Sequence, residues 1–370
     1  MNIVFLSNYF NHHQKPFSDE MFKLIGDGFN FIETIPMENE RIRMGWNKII
    51  SPSYVLKTYK DADLCQKKID SADIVILGSA PEALLRSRKK NKKIIVRYSE
   101  RPLKNGFSIW KYIPWYISWH LQNPSSVPIY MLCASAYTAD DYRKFKLFNN
   151  KTYKWGYFPE LKVYNNIQNI IKAKKKNSIL WAARFLDWKH PEFVVELALY
   201  LKRKRIPFEI NMIGCGEYEN KISQIITDSK LTNNVHLLGA MTPENVREYM
   251  EKSEIFISTS DRKEGWGAVI NESMNSACAV VANKEIGSVP FLIQNGENGF
   301  VYSNKQEFCE LIEQLLNNES LRIMASEKAY RTILESWNPQ VAAKRLLALF
   351  ESITSFGNCN LFANGPCSKC

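Results

Sequence analysis

Two carboxylates flank a glycine-rich turn in the segment Glu264–Glu272, which reads Glu-Gly-Trp-Gly-Ala-Val-Ile-Asn-Glu. The apolar run before it, 254–260, predicts a buried strand, and residues 268–279 predict a helix. Glycines on both sides of Trp266 would let a ligand approach the backbone N–H groups at the start of that helix. Such groups, with the positive end of the helix dipole, suit a phosphate. Two acids beside an anion site indicate a ligand with hydroxyls and phosphates, such as a sugar nucleotide.

Two cations that could meet a diphosphate follow another predicted strand, Ser178–Ala182. Arg184 can bind two oxygens at once, and Lys189 adds a point charge. Each alone is more often a surface residue, but chance rarely supplies both together with a strand–glycine–helix anion site. The Gly214-Cys-Gly216 sequence after the next predicted strand is a weaker signal, because a simple tight turn explains it equally well.

Short apolar runs alternate with helical stretches along the chain, and this alternation predicts an α/β fold with parallel sheets. A chain of 370 residues is longer than one hydrophobic core usually holds, so two domains are expected. We predict domains at residues 1–165 and 166–336, then a helix at 337–356 and an irregular tail at 357–370. The polar segment Lys162–Asn177 is the predicted linker.

Candidate site residues in the first domain follow predicted strands, whose carboxyl ends bind ligands in open α/β sheets. His12 and His13 lie after the first strand, although a surface loop with two solvated histidines is an equal alternative. Glu100 and Arg101 follow a later strand. Glu100 between Arg97 and Arg101 is either a structural ion pair or part of a site.

Positive charge is concentrated in the first half of the chain. Residues 1–170 contain 25 Lys and Arg against 15 Asp and Glu, which accounts for most of the net +11. The excess includes the basic run Arg86–Lys93 and is accompanied by the aromatic segment Phe107–Trp119. Core packing and a membrane-interface platform both explain that segment. An anionic membrane surface or lipid-linked acceptor fits the charge better than nucleic acid, and plain solubility charge is the alternative.

The termini and the cysteines indicate a cytoplasmic protein. The first ten residues lack a basic stretch and a cleavage site, so Ile3–Leu6 is predicted to be a strand and not a signal peptide. No window approaches 18 uninterrupted apolar residues, so no transmembrane helix is expected. Five of the eight cysteines are predicted buried thiols, and three are predicted to be exposed in a flexible tail: Cys359, Cys367 and Cys370. These three lack a fourth ligand for a metal site, so none is predicted.

In their order along the chain, these motifs resemble the retaining glycosyltransferases of the GT-B fold, family 4. The resemblance covers roughly residues 178–302. It rests on five features: Arg184 and Lys189 after the opening strand, Gly214-x-Gly216, Glu-x7-Glu at Glu264 and Glu272, Ile286-Gly-Ser288, and the segment Gln294–Phe300.

The resemblance implies two facing Rossmann-like domains with a deep interdomain cleft. The first domain would bind the acceptor, with His12, His13 and Arg101 toward the cleft. The second would bind a nucleotide-sugar donor, and the helix at 337–356 would cross back onto the first domain.

By the same resemblance, Arg184 and Lys189 would hold the donor diphosphate in place of a metal. Trp266, Gly267 and Ala268 would offer backbone N–H groups to the diphosphate or the donor sugar. These cations and dipoles would stabilise the charge that develops on the departing diphosphate.

Glu264 would contact donor-sugar hydroxyls and Glu272 the ribose hydroxyls, with Gly214 and Gly216 completing the donor-binding set. Glu264 and the two cations are also the predicted catalytic groups. Many relatives carry a histidine near the reacting sugar, and Glu100 is the predicted catalytic replacement, with His120 as the alternative.

Some positions depart from the family pattern. The loop Asn8–Lys15 lacks the usual glycine pair, which leaves donor contacts from the first domain open. Phe291 stands where relatives often have an acid, so base recognition cannot be carried over.

The expected activity is transfer of a hexose-type sugar, with retained configuration, from a UDP- or GDP-linked donor to a glycan acceptor. We expect a lipid-linked acceptor in bacterial-type surface polysaccharide synthesis, at the inner face of the membrane. No cofactor, metal or nucleic acid is expected. The alternatives are a sugar-nucleotide epimerase of the same fold and a non-catalytic binding partner of another transferase.

Overall fold

The computed structural model describes residues 1–38, 51–357 and 360–370. The chain forms two compact units. Unit 1 comprises Met1–Glu160 and Asn338–Cys370, and unit 2 comprises Leu161–Trp337. Each unit contains one parallel sheet with helices in the crossover connections. The predicted α/β fold with two Rossmann-like domains is therefore confirmed.

Unit 1 is built on a seven-stranded sheet. Its strands are β1 (Ile3–Ser7), β2 (Phe29–Glu33), β3 (Val55–Lys57), β4 (Ile74–Leu77), β5 (Ile94–Ser99), β6 (Ile129–Cys133) and β7 (Thr152–Lys154). The strand order is β3-β2-β1-β4-β5-β6-β7, and every pairing is parallel. The connecting helices are α1 (Lys15–Ile25), α2 (Ala62–Ser71), α3 (Arg86–Lys90), α4 (Tyr112–Gln122) and α5 (Thr138–Arg143). The central strands β1, β4 and β6 are buried along their whole length, as expected for parallel strands covered on both faces.

Unit 2 is built on a six-stranded sheet. Its strands are β8 (Lys175–Ala182), β9 (Glu209–Ile213), β10 (Val235–Leu237), β11 (Ser253–Ser258), β12 (Ala279–Asn283) and β13 (Phe300–Tyr302). The order is β10-β9-β8-β11-β12-β13, again all parallel. The helices are α6 (Ile167–Lys172), α7 (Glu192–Arg203), α8 (Glu219–Asp228), α9 (Pro243–Lys252), α10 (Ala268–Asn275), α11 (Val289–Leu292), α12 (Lys305–Asn317) and α13 (Glu319–Glu335).

The strand order reverses between β8 and β11 in unit 2, and between β1 and β4 in unit 1. In open α/β sheets, ligands bind outside the carboxyl ends of the strands at such a reversal. Arg184 and Lys189 follow β8, and Glu264 follows β11. The topology therefore brings together residues that are distant in the sequence.

The polar segment Lys162–Asn177 is not an extended linker but a folded part of unit 2. It contains α6 and the start of β8. Lys174 is buried, and its ammonium donates to Met250 O and Ser276 O, both at 2.9 Å. Burial lowers the pKa of this lysine. Lys174 can be buried because backbone carbonyls accept hydrogen bonds from its ammonium. The charge of the residue alone does not indicate this burial.

The chain ends within unit 1. Helix α14 (Pro339–Phe356) packs against α1, where Gln340 Nε2 donates to Glu20 Oε1 (3.2 Å). This agrees with the assignment of residues 338–370 to the first unit.

The last residues pair with the edge strand β7 instead of forming a flexible tail. Lys154 N–H donates to Ser368 O (2.7 Å), and Cys367 N–H donates to Lys154 O (2.8 Å). Cys367 is buried and Cys370 is exposed, while Cys359 lies outside the described residues. The expectation of exposed thiols is therefore wrong for Cys367, because the tail covers a sheet edge that would otherwise be open.

The other free thiols follow the prediction closely. Four of them are buried, namely Cys65, Cys133, Cys278 and Cys309. Cys215 is half-buried. Among the residues that the structure describes, no three His, Cys, Asp or Glu side chains come together as a metal-binding group. In the same part of the chain, no helix is both long and apolar enough to span a membrane.

Candidate active site

The loop after β8 is held against the end of β9 by a close backbone approach. Ala183 N–H donates to Ile213 O (3.0 Å). A Cβ atom on Gly214 would lie 1.9 Å from Ala183 O, and one on Gly216 would lie 2.6 Å from Phe185 O. Both glycines also have positive φ. The Gly-x-Gly sequence therefore positions the loop that carries Arg184 and Lys189, and a direct contact of these glycines with a donor stays a prediction.

Lys189 and Glu264 are brought together by the sheet. The Lys189 ammonium donates to Glu264 Oε2, and Ser260 Oγ donates to the same oxygen at 3.0 Å. Both side chains of the ion pair retain limited exposure, 12% and 15%. The ammonium also lies 4.3 Å from the centre of the Trp188 ring. Arg184 lies half-buried earlier in the same loop.

Hydrogen bonds join the loops after β8 and β11. Trp181 Nε1 donates to Thr259 Oγ1 (2.8 Å), which in turn donates to Lys189 O. Asp261 N–H donates to Trp188 O (3.0 Å). Sequence reasoning did not single out Thr259 or Ser260, although both are polar residues at the carboxyl end of an apolar strand. These bonds fix the backbone from which Lys189 projects.

His190 also links the loops after β8 and β11. Its backbone is left-handed, with φ of 47°. Nδ1 lies 2.8 Å from Glu192 Oε1, and Nε2 lies 3.7 Å from Asp261 Oδ2. The hydrogen bond with Glu192 raises the pKa of His190 above its ordinary value. Protonation of this ring therefore strengthens the attachment of the two loops.

Helix α10 begins at Gly267, which is its N-cap with φ of 83°. Within the described part of the chain, no side chain caps the first turn. A Cβ atom at Gly267 would lie 3.1 Å from Ile286 Cγ2 and 3.4 Å from Glu264 Cγ. Glycine thus lets this helix begin close to the Glu264 side chain, and the first turn of a helix is where N–H groups can bind an anion. Ala268 is the first residue of the helix.

The Trp266 side chain is fully buried and does not face the site. Its Nε1 donates to Asn271 Oδ1 (2.8 Å), and its ring lies 5.8 Å from that of Trp337. Phe291 stacks on Trp337 in the same aromatic cluster, with 15° between the rings. Only the backbone of Trp266 is placed for the predicted donor contact.

Glu272 lies at the start of the second turn of α10 and is partly buried. Burial raises the pKa of this carboxyl to about 7, against an opposing effect of the Arg247 charge. The two predicted acids therefore differ in environment. Glu264 is bound to a cation, whereas Glu272 carries a desolvation penalty in its ionised form.

In unit 1, the structure groups Glu100 with the histidines of the first loop. Tyr157 OH donates to Glu100 Oε1 at 2.9 Å, and Lys104 Nζ lies 3.8 Å from Glu100 Oε2. The His13 and Tyr157 rings are 6.2 Å apart, and the His12 and His13 rings are 3.9 Å apart. Burial raises the pKa of Tyr157. Sequence reasoning missed Tyr157, which follows a strand end and could have been found by that position.

The arginines near Glu100 bind other carboxylates. Arg101 Nε lies 3.4 Å from Asp141 Oδ2, and Arg97 donates twice to Glu82, at 2.9 and 2.8 Å. Both arginines therefore form ion pairs with acids other than Glu100, and the assignment of Glu100 to a site stays a prediction. His120 Nε2 lies 2.9 Å from Phe145 O, within the packing of α4.

Solved structures with this architecture show the fold class. A structure of Anabaena Alr3699/HepE in complex with UDP and glucose superposes with a TM-score of 0.68 at 14% identity, covering 96% of this chain and all of that one. The two units thus form the GT-B fold, which places this chain in that structural class.

The sequence family agrees with the fold. Residues 163–332 match the family described as glycosyl transferases group 1. The poly(ribitol-phosphate) alpha-N-acetylglucosaminyltransferase of Staphylococcus aureus is 29% identical over 173 residues, which are 46% of this chain and 34% of that protein. The poly(glycerol-phosphate) alpha-glucosyltransferase of Bacillus subtilis is 31% identical over 159 residues, 42% and 23% of the two chains. The matches thus span about a third or less of these relatives, and the family match lies within unit 2. Unit 2 is thus the part of this chain that is similar to the glycosyl transferases group 1 family.

Proposed function

We propose that this protein is a glycosyltransferase that moves a hexose-type sugar from a nucleotide diphosphate sugar to a glycan acceptor. One observation carries the proposal. Lys189, Glu264 and the uncapped N-terminus of α10 meet at the strand-order reversal of unit 2. A cation, a carboxylate and the first turn of a helix thus lie side by side, which supports a site for phosphates and hydroxyls.

The donor diphosphate would lie against the first turn of α10, with Arg184 and Lys189 as its cationic partners. Because Lys189 is bound to Glu264 in the structure, the ammonium would be shared with the diphosphate when the donor binds. Glu264 would then accept hydrogen bonds from sugar hydroxyls, held in place by Ser260. As the bond from the sugar to the phosphate breaks, these fixed charges and N–H groups would stabilise the negative charge of the leaving group. Glu272, one turn further along, would receive the ribose hydroxyls.

Configuration, nucleotide and acceptor form the finer part of the proposal. Retention of configuration and independence from metal follow from the family resemblance, with Arg184 and Lys189 in the role of a metal. The structure with bound UDP and glucose supports UDP as the nucleotide. The relatives that act on poly(ribitol-phosphate) and poly(glycerol-phosphate) support an acceptor that belongs to a bacterial surface polymer. We propose a lipid-linked acceptor at the inner face of the membrane. Glu100, His12 and His13 would face this acceptor.

Thermal unfolding with a panel of UDP- and GDP-sugars tests the donor site, because a ligand of the folded state raises its stability. We expect one donor to raise the melting temperature of the wild type. Lys189→Ala should lose this shift and reduce turnover by about a hundredfold or more, as expected for loss of a charge on the leaving group. Lys263→Ala, an exposed lysine of the neighbouring loop, is the matched control and should behave as the wild type.

Assays of product formation separate the proposal from its rivals. Transfer that requires an acceptor and persists in EDTA supports the metal-independent transferase. Conversion of the donor sugar in the absence of acceptor would identify an epimerase. Binding of the donor without hydrolysis or transfer would identify a non-catalytic partner. Full turnover by the Lys189→Ala variant would contradict the assignment of the donor site.

A further inference from the structure

Helix α4 of unit 1 and the helical turn before it, Ile109–Lys111, carry a row of exposed apolar side chains. Trp110, Ile113, Ile117 and Leu121 are spaced by three or four residues, which places them along one side of a helix. They are 89%, 67%, 54% and 74% exposed, and the neighbouring Ile109 is 74% exposed. Monomeric soluble proteins rarely leave such a continuous apolar surface open to water.

The inner face of α4 packs against unit 1 through aromatic residues, and the exposed row takes no part in this packing. The Tyr112 ring stacks on Phe145 at 5.0 Å, and the Trp119 ring meets Phe145 at 4.5 Å. Trp115 and Trp119 stack on each other at 5.9 Å with nearly parallel rings. The aromatic residues of the segment therefore anchor the helix, and the aliphatic residues with Trp110 form a separate outer surface.

Exposed lysines lie near the start of the helix. Lys111 precedes α4, and Lys144 and Lys146 lie in the loop that holds Phe145. Tyr112 OH donates to Lys144 O (3.3 Å), which fixes this loop beside the first turn. Lys144 also contacts the buried Asp141 at 3.5 Å, so Lys111 and Lys146 provide most of the positive charge here.

A second basic group lies toward the other end of α4. Arg97 Nη2 donates to Gln122 O (2.8 Å), the last residue of the helix, and to Glu82 Oε1 (2.8 Å), which precedes the run Arg86–Lys93. Three cations of this run are exposed: Arg86, Lys90 and Lys92. Arg88 is not among them, because its buried guanidinium donates to four backbone carbonyls and holds the local fold.

We propose that the outer face of α4 docks on an anionic lipid bilayer. Eleven residues make a helix of about 16 Å, too short to cross a membrane but suited to lie at the boundary of headgroups and acyl chains. The apolar row enters that boundary, with Trp110 at the depth that tryptophan favours. Cations at both ends of the helix match a surface of continuous negative charge, which a bilayer rich in anionic lipid provides.

Flotation of the full-length protein with vesicles tests the proposal. We expect binding to equimolar phosphatidylcholine and phosphatidylglycerol, weak binding to phosphatidylcholine alone, and loss of binding at high salt. Replacing the row by Ile113→Gln, Ile117→Gln and Leu121→Gln together should weaken binding at least about tenfold. Val163→Gln, which changes an apolar residue of unit 2 that is 67% exposed, is the matched control and should bind normally.

The charge contribution is tested by Lys111→Glu combined with Lys146→Glu. This variant should bind anionic vesicles more weakly and respond less to salt. All variants should keep the circular dichroism spectrum and melting temperature of the wild type, because the changed side chains are exposed.

Absence of wild-type binding to anionic vesicles would overturn the proposal, as would equal binding by the triple glutamine variant. Lipid-free dimerisation that the triple variant abolishes would also overturn it and assign the face to a protein contact. Vesicle binding requires neither donor nor acceptor, so this result is independent of the proposed transferase activity.

Discussion

At the scale of single residues, the two acids of the Glu-x7-Glu sequence have different electrostatic surroundings. Glu264 is bound by Lys189 and Ser260. At Glu272 the charge of Arg247 opposes the effect of desolvation, and the pKa is nevertheless raised to about 7. A donor that supplied hydroxyl groups to the Glu272 carboxylate would replace the water that this group lost on folding. Of the two acids, Glu272 is therefore the one whose ionised form carries a clear desolvation cost.

The raised pKa of Glu272 predicts a pH-dependent stability difference for Glu272→Gln. The folded protein holds this proton up to about pH 7, whereas the unfolded chain releases it near 4.5, so wild-type stability falls as the pH rises between these values. Glutamine has no proton to lose. The variant should match the wild type below pH 4.5 and exceed it by up to about 3 kcal/mol above pH 7.

Urea unfolding of both proteins at the two pH values measures this difference. Glu217→Gln, at an exposed position of the same unit, serves as the control and should show no such pH dependence. A constant difference between Glu272→Gln and the wild type across the pH range would contradict the prediction.

At the scale of elements, the start of α10 depends on one glycine. Gly267 adopts a left-handed backbone conformation, and its lack of a Cβ atom gives room to Ile286 and to the Glu264 side chain. The same conformation turns the chain from the loop after β11 into the helix. Backbone geometry, local packing and access to the N–H groups therefore coincide at this position.

Gly267→Ala should destabilise unit 2 and weaken donor binding together. Gly296→Ala is a matched control, because Gly296 has nearly the same φ, 81°, but open space around its Cβ position. We expect about 1 kcal/mol of destabilisation for Gly296→Ala, from the conformation alone. Gly267→Ala should cost about 2–3 kcal/mol because a contact at 3.1 Å must also relax.

Denaturant unfolding and the thermal shift with UDP measure the two effects. Gly296→Ala should keep the UDP-induced shift, and Gly267→Ala should lose most of it. Equal behaviour of the two variants would show that the space beside Glu264 has no special role.

At the scale of the whole molecule, the chain leaves unit 1 after Glu160, builds unit 2 and returns at Asn338. The return includes α14, with Leu346, Leu349 and Phe350 buried, and the segment that pairs with β7. Unit 1 is therefore completed by residues from the end of the sequence. Its stability should depend on them even though they lie far from its first strand.

Removal of residues 358–370 tests this dependence. The truncated protein loses the backbone bonds between Lys154 and the tail and exposes Tyr153, which is buried in the complete chain. We expect a loss of about 2 kcal/mol in the unfolding of unit 1. The UDP-induced shift should remain, because every predicted donor-binding residue belongs to unit 2.

Cys370→Ser is the control for the truncation, since it removes one exposed thiol and leaves the pairing with β7 intact. Unchanged stability after truncation would show that the tail is not part of the folded core of unit 1.

Sequence by itself determined the local features of this protein. Apolar runs identified β1, β4 and β11, and residue type with spacing identified Glu264, Glu272 and Lys189 as a set. These signals are local, because side-chain periodicity and glycine placement act within a few residues of the chain. The family resemblance rests on the same local motifs. Short edge strands such as β3 and β10 have too few residues for a periodic pattern.

Tertiary structure alone decided which groups meet and which are buried. The pairing of β8 with β11 joins Lys189 to Glu264, and this pairing spans a long sequence separation that no local pattern encodes. The charge of Arg88 does not indicate that this residue is buried. Its guanidinium is buried because it donates to four backbone carbonyls, which other parts of the chain supply. The composition of the tail predicts a flexible segment, whereas the open edge of β7 determines its conformation. Burial depends on the surfaces that distant segments present to one another, and only the folded chain defines those surfaces.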